Sequence, residues 1–251
     1  IDEALRQARE AIVADSRSVD AHYVVGTLLT QLNEIGEAIN SFKEVIRLNP
    51  RAVAAQTQVA RLELLRGERS ASMSAAQDAV AGAPNDPVVR LVAARSMIGA
   101  GKLAEAESEM TKLLAAFPAS PAVQAQAGTL SLFKGDLRSA RRYFSRAMEL
   151  DPGSAEALSG LVAADMKEGK VADAAARVEK RLTITPDNPT ALTLAAMIDI
   201  ARRENSRAEV RLRRVIEVDP TNVRAYGMLA QVLFAQNKLD PAAKEQLQKQ
   251  M

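Results

Sequence analysis

Proline returns at a fixed interval through this chain: Pro50, Pro84, Pro118, Pro152, Pro186 and Pro220 are each separated by 34 residues. Chance does not hold a register through six cycles. A period of about 20–50 residues marks stacked supersecondary units, each too small to bury a core alone. With proline as position 32, full repeats span 19–52, 53–86, 87–120, 121–154, 155–188 and 189–222. Residues 1–18 are the second half of an earlier repeat, with Ser16 at the proline position, and residues 223–251 are a shorter terminal unit. The expectation is one array over 1–251. Because the chain opens on Ile1 in mid-repeat, its natural N-terminus is expected upstream.

The other positions of the register say what each unit is. Position 15 holds Asn33, Gly67, Gly101, Gly135, Gly169, Arg203 and Asn237. Gly and Asn tolerate the left-handed conformation that ends a helix, so a first helix, A, stops there, and Arg203 is expected to carry strain. Position 34 holds Ser18, Ala52, Asp86, Ser120, Ser154, Asn188 and Asn222, all N-cap residues except Ala52, with Pro87, Pro121 and Pro189 following at the first helical position. Each repeat therefore reads as helix A, tight turn, helix B and a proline-marked turn.

Small side chains recur where the two helices must meet. Position 20 is Ala4, Ala38, Ser72, Ala106, Ala140, Ala174, Ala208 and Ala242, and position 8 is Gly26, Ala60, Ala94, Gly128, Val162, Ala196 and Ala230. Larger residues at position 24, such as Phe42, Met110 and Phe144, fill the adjoining space. Helix A is apolar around most of its circumference, whereas helix B keeps a charged face, as in Arg138, Arg142 and Arg146. Helix A is expected inside a curved stack and helix B outside.

On these residues the chain resembles the tetratricopeptide repeat family. The pattern is carried by Gly26, Ala38, Phe42 and Pro50, and again by Gly128, Gly135, Ala140, Phe144, Ala147 and Pro152. The resemblance implies an all-α, right-handed superhelical solenoid with a concave groove, serving as scaffold or adaptor. A looser resemblance points to bacterial arrays of envelope assembly or exopolysaccharide export. The family's usual Trp at position 4 is replaced by His22, Gln56, Arg90, Gln124, Leu158, Leu192 and Tyr226, and the repeat 53–86 places Glu63, Ser72 and Ala76 at usual core positions.

Little supports catalysis, a metal or a cofactor. His22 is the only histidine, cysteine is absent, and no glycine-rich phosphate loop occurs. The 33 basic residues nearly balance 31 acidic ones, and net charge rises only from −2 over residues 1–52 to +2 over residues 187–251. Nucleic-acid binding wants a concentrated basic face and is not expected. No apolar run reaches the roughly 18 residues of a membrane span. The Ala- and Arg-rich composition fits a bacterial chain of the cytoplasm or periplasm.

Function is therefore sought on the inward face of the A helices, at positions 2, 5, 9 and 13. The candidates there are Tyr23, Arg61, Leu65, Leu91, Arg95, Phe133, Lys167 and Met197, with Phe133 as apolar anchor and Arg95 and Lys167 as flanking charges. Position 12, from Thr30 through Leu132 to Phe234, forms an apolar stripe at the core boundary. The family's chaperone-tail clamp is not expected, since position 5 has no Lys and position 9 no Asn. The expected function is a non-catalytic scaffold that holds a protein or peptide segment in the groove. The alternative is the substrate-recruiting array of a larger enzyme, such as a glycosyltransferase, whose catalytic domain lies elsewhere. Self-association through the ends of the array is also open. At the C-terminal end, Gln246, Lys249 and Gln250 replace apolar residues of helix B and suggest a solvating cap or a truncation point.

Overall fold

The computed structural model describes residues 1–236, and within them every regular element is an α-helix. The A helices are α2 (Val19–Gln31), α4 (Val53–Leu65), α6 (Pro87–Gly99), α8 (Pro121–Phe133), α10 (Ala155–Lys167), α12 (Pro189–Ala201) and α14 (Val223–Ala235). The B helices are α1 (Asp2–Ala14), α3 (Ile35–Leu48), α5 (Arg69–Gly82), α7 (Leu103–Ala116), α9 (Leu137–Leu150), α11 (Val171–Ile184) and α13 (Asn205–Val218). Every A helix from α2 onward starts at position 1 of the register, and all six prolines sit in the turn after a B helix. The fold is an all-α helical repeat. The helices divide into two compact units, residues 1–134 and the residues from Gly135 onward.

Local chemistry sets the helix ends. Ser18, Ser120, Ser154, Asn188 and Asn222 each accept a hydrogen bond from the backbone N–H three residues on, and Asp86 accepts from Val88 and Val89. Ala52 makes no such bond. At position 15 the left-handed turn is taken by Asn33 (φ 62°), by glycines such as Gly169 (φ 74°), and by Arg203 (φ 63°), the strained exception expected from the sequence. The N–H after five of these turns donates back five residues: Glu34 to Leu29 O, Glu68 to Glu63 O, Lys102 to Met97 O, Lys170 to Asp165 O and Glu204 to Asp199 O. Asn237, Ala242 and the terminal residues Gln246, Lys249 and Gln250 lie outside the described residues.

Packing follows the small-and-large pairing. In the first unit Phe42 is buried beside Gly26, and a methyl group at Gly26 would come within 2.9 Å of its ring. In the second unit Phe144 stands at the same register position but packs on Gly160, two positions earlier in helix A than Gly26 is. Helix A carries most of the burial: eight residues in each of α8 and α12, against three in each of α9 and α13.

The repeat 53–86 compensates its polar core positions with hydrogen bonds. Ser72 Oγ, fully buried, lies 2.8 Å from Ala60 O and 2.7 Å from Ser96 Oγ. Glu63 is buried with Lys43 Nζ 2.6 Å from its Oε1. The lost Trp of position 4 is answered the same way. The Nε2 atoms of His22, Gln56 and Gln124 lie 3.1, 2.9 and 2.7 Å from the carbonyls of Ser16, Pro50 and Pro118. His22 is thereby a packed imidazole tied to the turn before its helix.

Candidate functional site

In the first unit the A helices α2, α4 and α6 leave an open cleft of ≈ 500 Å³. Its walls are Tyr23, Val53, Thr57 and Gln58, and at its rim stand Arg61, Asp86 and Val88. Tyr23 is held from behind by Phe42, edge to face at 5.3 Å between ring centres. Thr57 donates its hydroxyl to Val53 O at 2.7 Å, which fixes its rotamer. Arg61 projects from α4 into solvent with no hydrogen-bond or ion-pair partner among the described residues.

The other candidates of this unit are distributed along the same side of the A helices. Leu91 is half-buried. Arg95, one repeat after Arg61, is half-buried too, with Nε 2.9 Å from Gln126 Oε1 on α8. Leu65 and Phe133, both at position 13, are 75 % and 61 % exposed at the last residues of α4 and α8. The adjoining position-12 stripe is half-buried at Leu64 and Leu132 and fully buried at Ile98. Tyr23 and Arg61 thus share a cleft, whereas Leu65 and Phe133 form separate exposed ridges.

The second unit repeats the cleft at the same register, four repeats on. Ser159, Thr193, Met197, Asn222 and Arg224 stand where Tyr23, Thr57, Arg61, Asp86 and Val88 stand in the first, around a hollow of ≈ 230 Å³. Thr193 again donates to the carbonyl four residues back, Pro189 O, at 2.7 Å. Met197 is partly exposed, with its sulfur 3.3 Å from Arg224 Nη2. Lys167 is exposed at the end of α10 and is not a wall of this cleft. Arg224 is a cleft residue that reading the register by inward positions passed over, although position 2 was among them.

A second feature lies behind the clefts. Position 11 carries buried carboxylates in Asp165 and Asp199 of the second unit, both 2 % exposed. Asp165 is bonded on both oxygens, by Arg141 Nε at 2.9 Å and by Arg177 at 3.3 Å. Asp199 has Arg211 Nε 3.0 Å from Oδ2, but out of line, so that oxygen is buried without a hydrogen bond. Burial pushes the Asp199 carboxyl above its ordinary pKa, against the pull of Arg211 and Arg207. The sequence signal was an Asp followed twelve residues later by an Arg, repeated one period on: Asp165 with Arg177, Asp199 with Arg211. Among the described residues no three His, Asp or Glu side chains gather to hold a metal, and no helix is long and apolar enough to cross a membrane.

Comparison with solved structures fits this architecture. A tetratricopeptide repeat protein from Parabacteroides merdae superposes with a TM-score of 0.74 at 17% identity, over 92% of this chain and 91% of its own. A chain of the APC/C hetero-tetramer Cut9–Hcn1 gives 0.67 at 18% identity; 92% of this chain matches 46% of that one, so this chain spans under half of it. A double mutant of MamA gives 0.53 at 22% identity over 60% of this chain and 85% of its own. At such identities the likeness is one of fold. No curated protein matches the sequence. Tetratricopeptide repeat models match residues 26–87 and 193–249 in one case and 134–198 in the other. These segments cover most of the sequence, and the chain belongs to the tetratricopeptide repeat family, whose repeats build protein-interaction scaffolds.

Proposed function

We propose that the protein holds a segment of a partner protein against the faces of its A helices and does no chemistry on it. The observation that carries this reading is Phe133, an aromatic ring 61 % exposed at the end of α8 next to half-buried Leu132. Leaving such a ring in water gives up burial that a core position would supply, and a partner segment that covers it would recover that burial. Leu65 repeats the feature two repeats earlier, and both exposed aromatics of the described residues, Phe133 and Tyr226, are on A helices. Because the 34-residue register runs without a break through the boundary at Gly135, both units are read as one array.

The test is selection of random displayed peptides on the 251-residue protein, followed by titration of the enriched peptides. Phe133→Ala is expected to weaken binding by about 1 kcal/mol or more, with the helical circular-dichroism signal unchanged. Enriched peptides that bind wild type and Phe133→Ala alike would move the site off this face.

A further inference from the structure

The two clefts share one plan with two of its residues exchanged. In the first, position 9 of the central helix is the cation, Arg61, and position 2 of the next helix is the apolar residue, Val88. In the second, position 9 is the apolar residue, Met197, and position 2 of the next helix is the cation, Arg224. We infer that both clefts take a segment bearing one acidic and one aliphatic side chain, and that they read the two in opposite order. This rests on the reading that the A-helix faces hold a partner segment, and adds the partner's chemistry and its polarity along the groove.

Charge complementarity selects the acid. Among the described residues Arg61 has no partner, and the only polar contact of the Arg224 guanidinium is the Met197 sulfur, a weak acceptor. Arg95 shows what happens when an internal acceptor is available. It occupies position 9 one repeat after Arg61, and Gln126 on the following A helix accepts from its Nε. At the corresponding place opposite Arg61 stands Val92, which is buried and offers no acceptor. The guanidinium of Arg61 is therefore left facing the cleft, where a carboxylate can accept two parallel hydrogen bonds.

The acidic residues already present sharpen the order. Asp86 in the first cleft spends Oδ1 on the Val88 and Val89 amides, at 2.7 and 3.2 Å, but its negative charge remains beside Val88. A second acid on the ligand would be repelled there, so that end suits the aliphatic side chain. In the second cleft the same register position is uncharged Asn222, and the lining carries one cation, Arg224, and one acid, Asp219. Asp219 has Oδ1 held by Thr221 and Oδ2 by the Asn222 amide. Both hollows are open to solvent along one side, which suits the side chains of a draped segment.

The experiment uses fluorescent peptides with one Glu and one Leu about four residues apart, in both orders, against the full chain. Binding is measured for wild type, Arg61→Gln and Arg224→Gln, both at exposed positions. The expected result is a crossed pattern: one order loses about fivefold or more in affinity with Arg61→Gln only, the reversed order with Arg224→Gln only. Added salt should shrink both losses. If both orders respond to the same substitution, or neither order binds, the inference is overturned. If peptides enriched on the protein depend on Phe133 but ignore both arginines, the A-face reading stands and this one falls.

Discussion

In the hairpin of α10 and α11, Asp165 is saturated by Arg141 and Arg177, and Gly169 makes the turn at φ 74°. In the next hairpin, α12 and α13, Asp199 keeps one buried oxygen without a hydrogen bond, and Arg203 makes the turn at φ 63°. The two hairpins share the same register, helix lengths and cap chemistry, yet differ in how each local requirement is met. A buried carboxylate is tolerated when its lone pairs are filled and is costly when they are not. A left-handed turn costs glycine little and a long side chain such as arginine about 1–2 kcal/mol. The first hairpin can therefore only be damaged at these positions, and the second can be improved.

The largest expected effect is on Asp165. Asp165→Ala should lower stability to urea by about 2–3 kcal/mol, below the full cost of splitting a buried pair because Arg141 retains Glu168 at 2.8 Å. Asp199→Ala should cost less than half as much. Equal losses would erase the distinction between the hairpins. Since stability in a repeat array is shared between neighbours, hydrogen exchange resolved by helix is the accompanying measurement, and protection should fall first in α10 and α11.

Exchanging the turn residues should give opposite signs. Gly169→Arg is expected to destabilise by about 1–2 kcal/mol and Arg203→Gly to stabilise by about 1 kcal/mol. Thermal midpoints of the two single variants decide it, and a loss in both would mean that the Arg203 side chain holds something its conformation conceals.

The smallest effect is the pH dependence of Asp199. Its folded pKa is raised by burial, so its contribution to stability is fully present below the ordinary value of 3.8 and is lost as pH rises through the folded value. At neutral pH the ionised group is a burden. Asp199→Asn should be at least as stable as wild type at pH 7, and wild type should gain on it as pH falls towards 3.8. A constant gap over that range would show that the carboxylate is adequately solvated.

What the sequence revealed and what it hid divide along the range of the interactions involved. Left-handed turns at Gly67 or Arg203, and N-caps at Ser18 or Asn188, depend on one residue and its neighbours within a turn, so they could be read position by position. The exposure of Leu65 and Phe133 followed from their place at the end of helix A. Arg61 and Arg95 looked alike at the same register position, but Gln126 on the following A helix ties Arg95, and at its place opposite Arg61 stands Val92, which offers no acceptor. Asp165 and Asp199 escaped notice because their partners come from the B helix packed against them, and in the case of Arg141 from a different repeat. Long-range pairing of this kind leaves only a spacing in the sequence, and a spacing is visible only to someone already looking for the pair.

The bonds from His22, Gln56 and Gln124 to the carbonyls of Ser16, Pro50 and Pro118 bear on where such a chain can be divided. A fragment cut at the repeat boundary, starting at Val53, would keep the Gln56 amide and lose the carbonyl that receives its N–H. Gln56 is 7 % exposed and its Oε1 already lacks a partner, so the side chain would swing outward and take the first turn of α4 with it. The seven-residue stretch from the proline to position 4 is thus a clasp belonging to the helix that follows it. A shorter array meant to fold on its own should begin before the proline, and the repeat that divides the sequence most neatly is not the unit that should be excised.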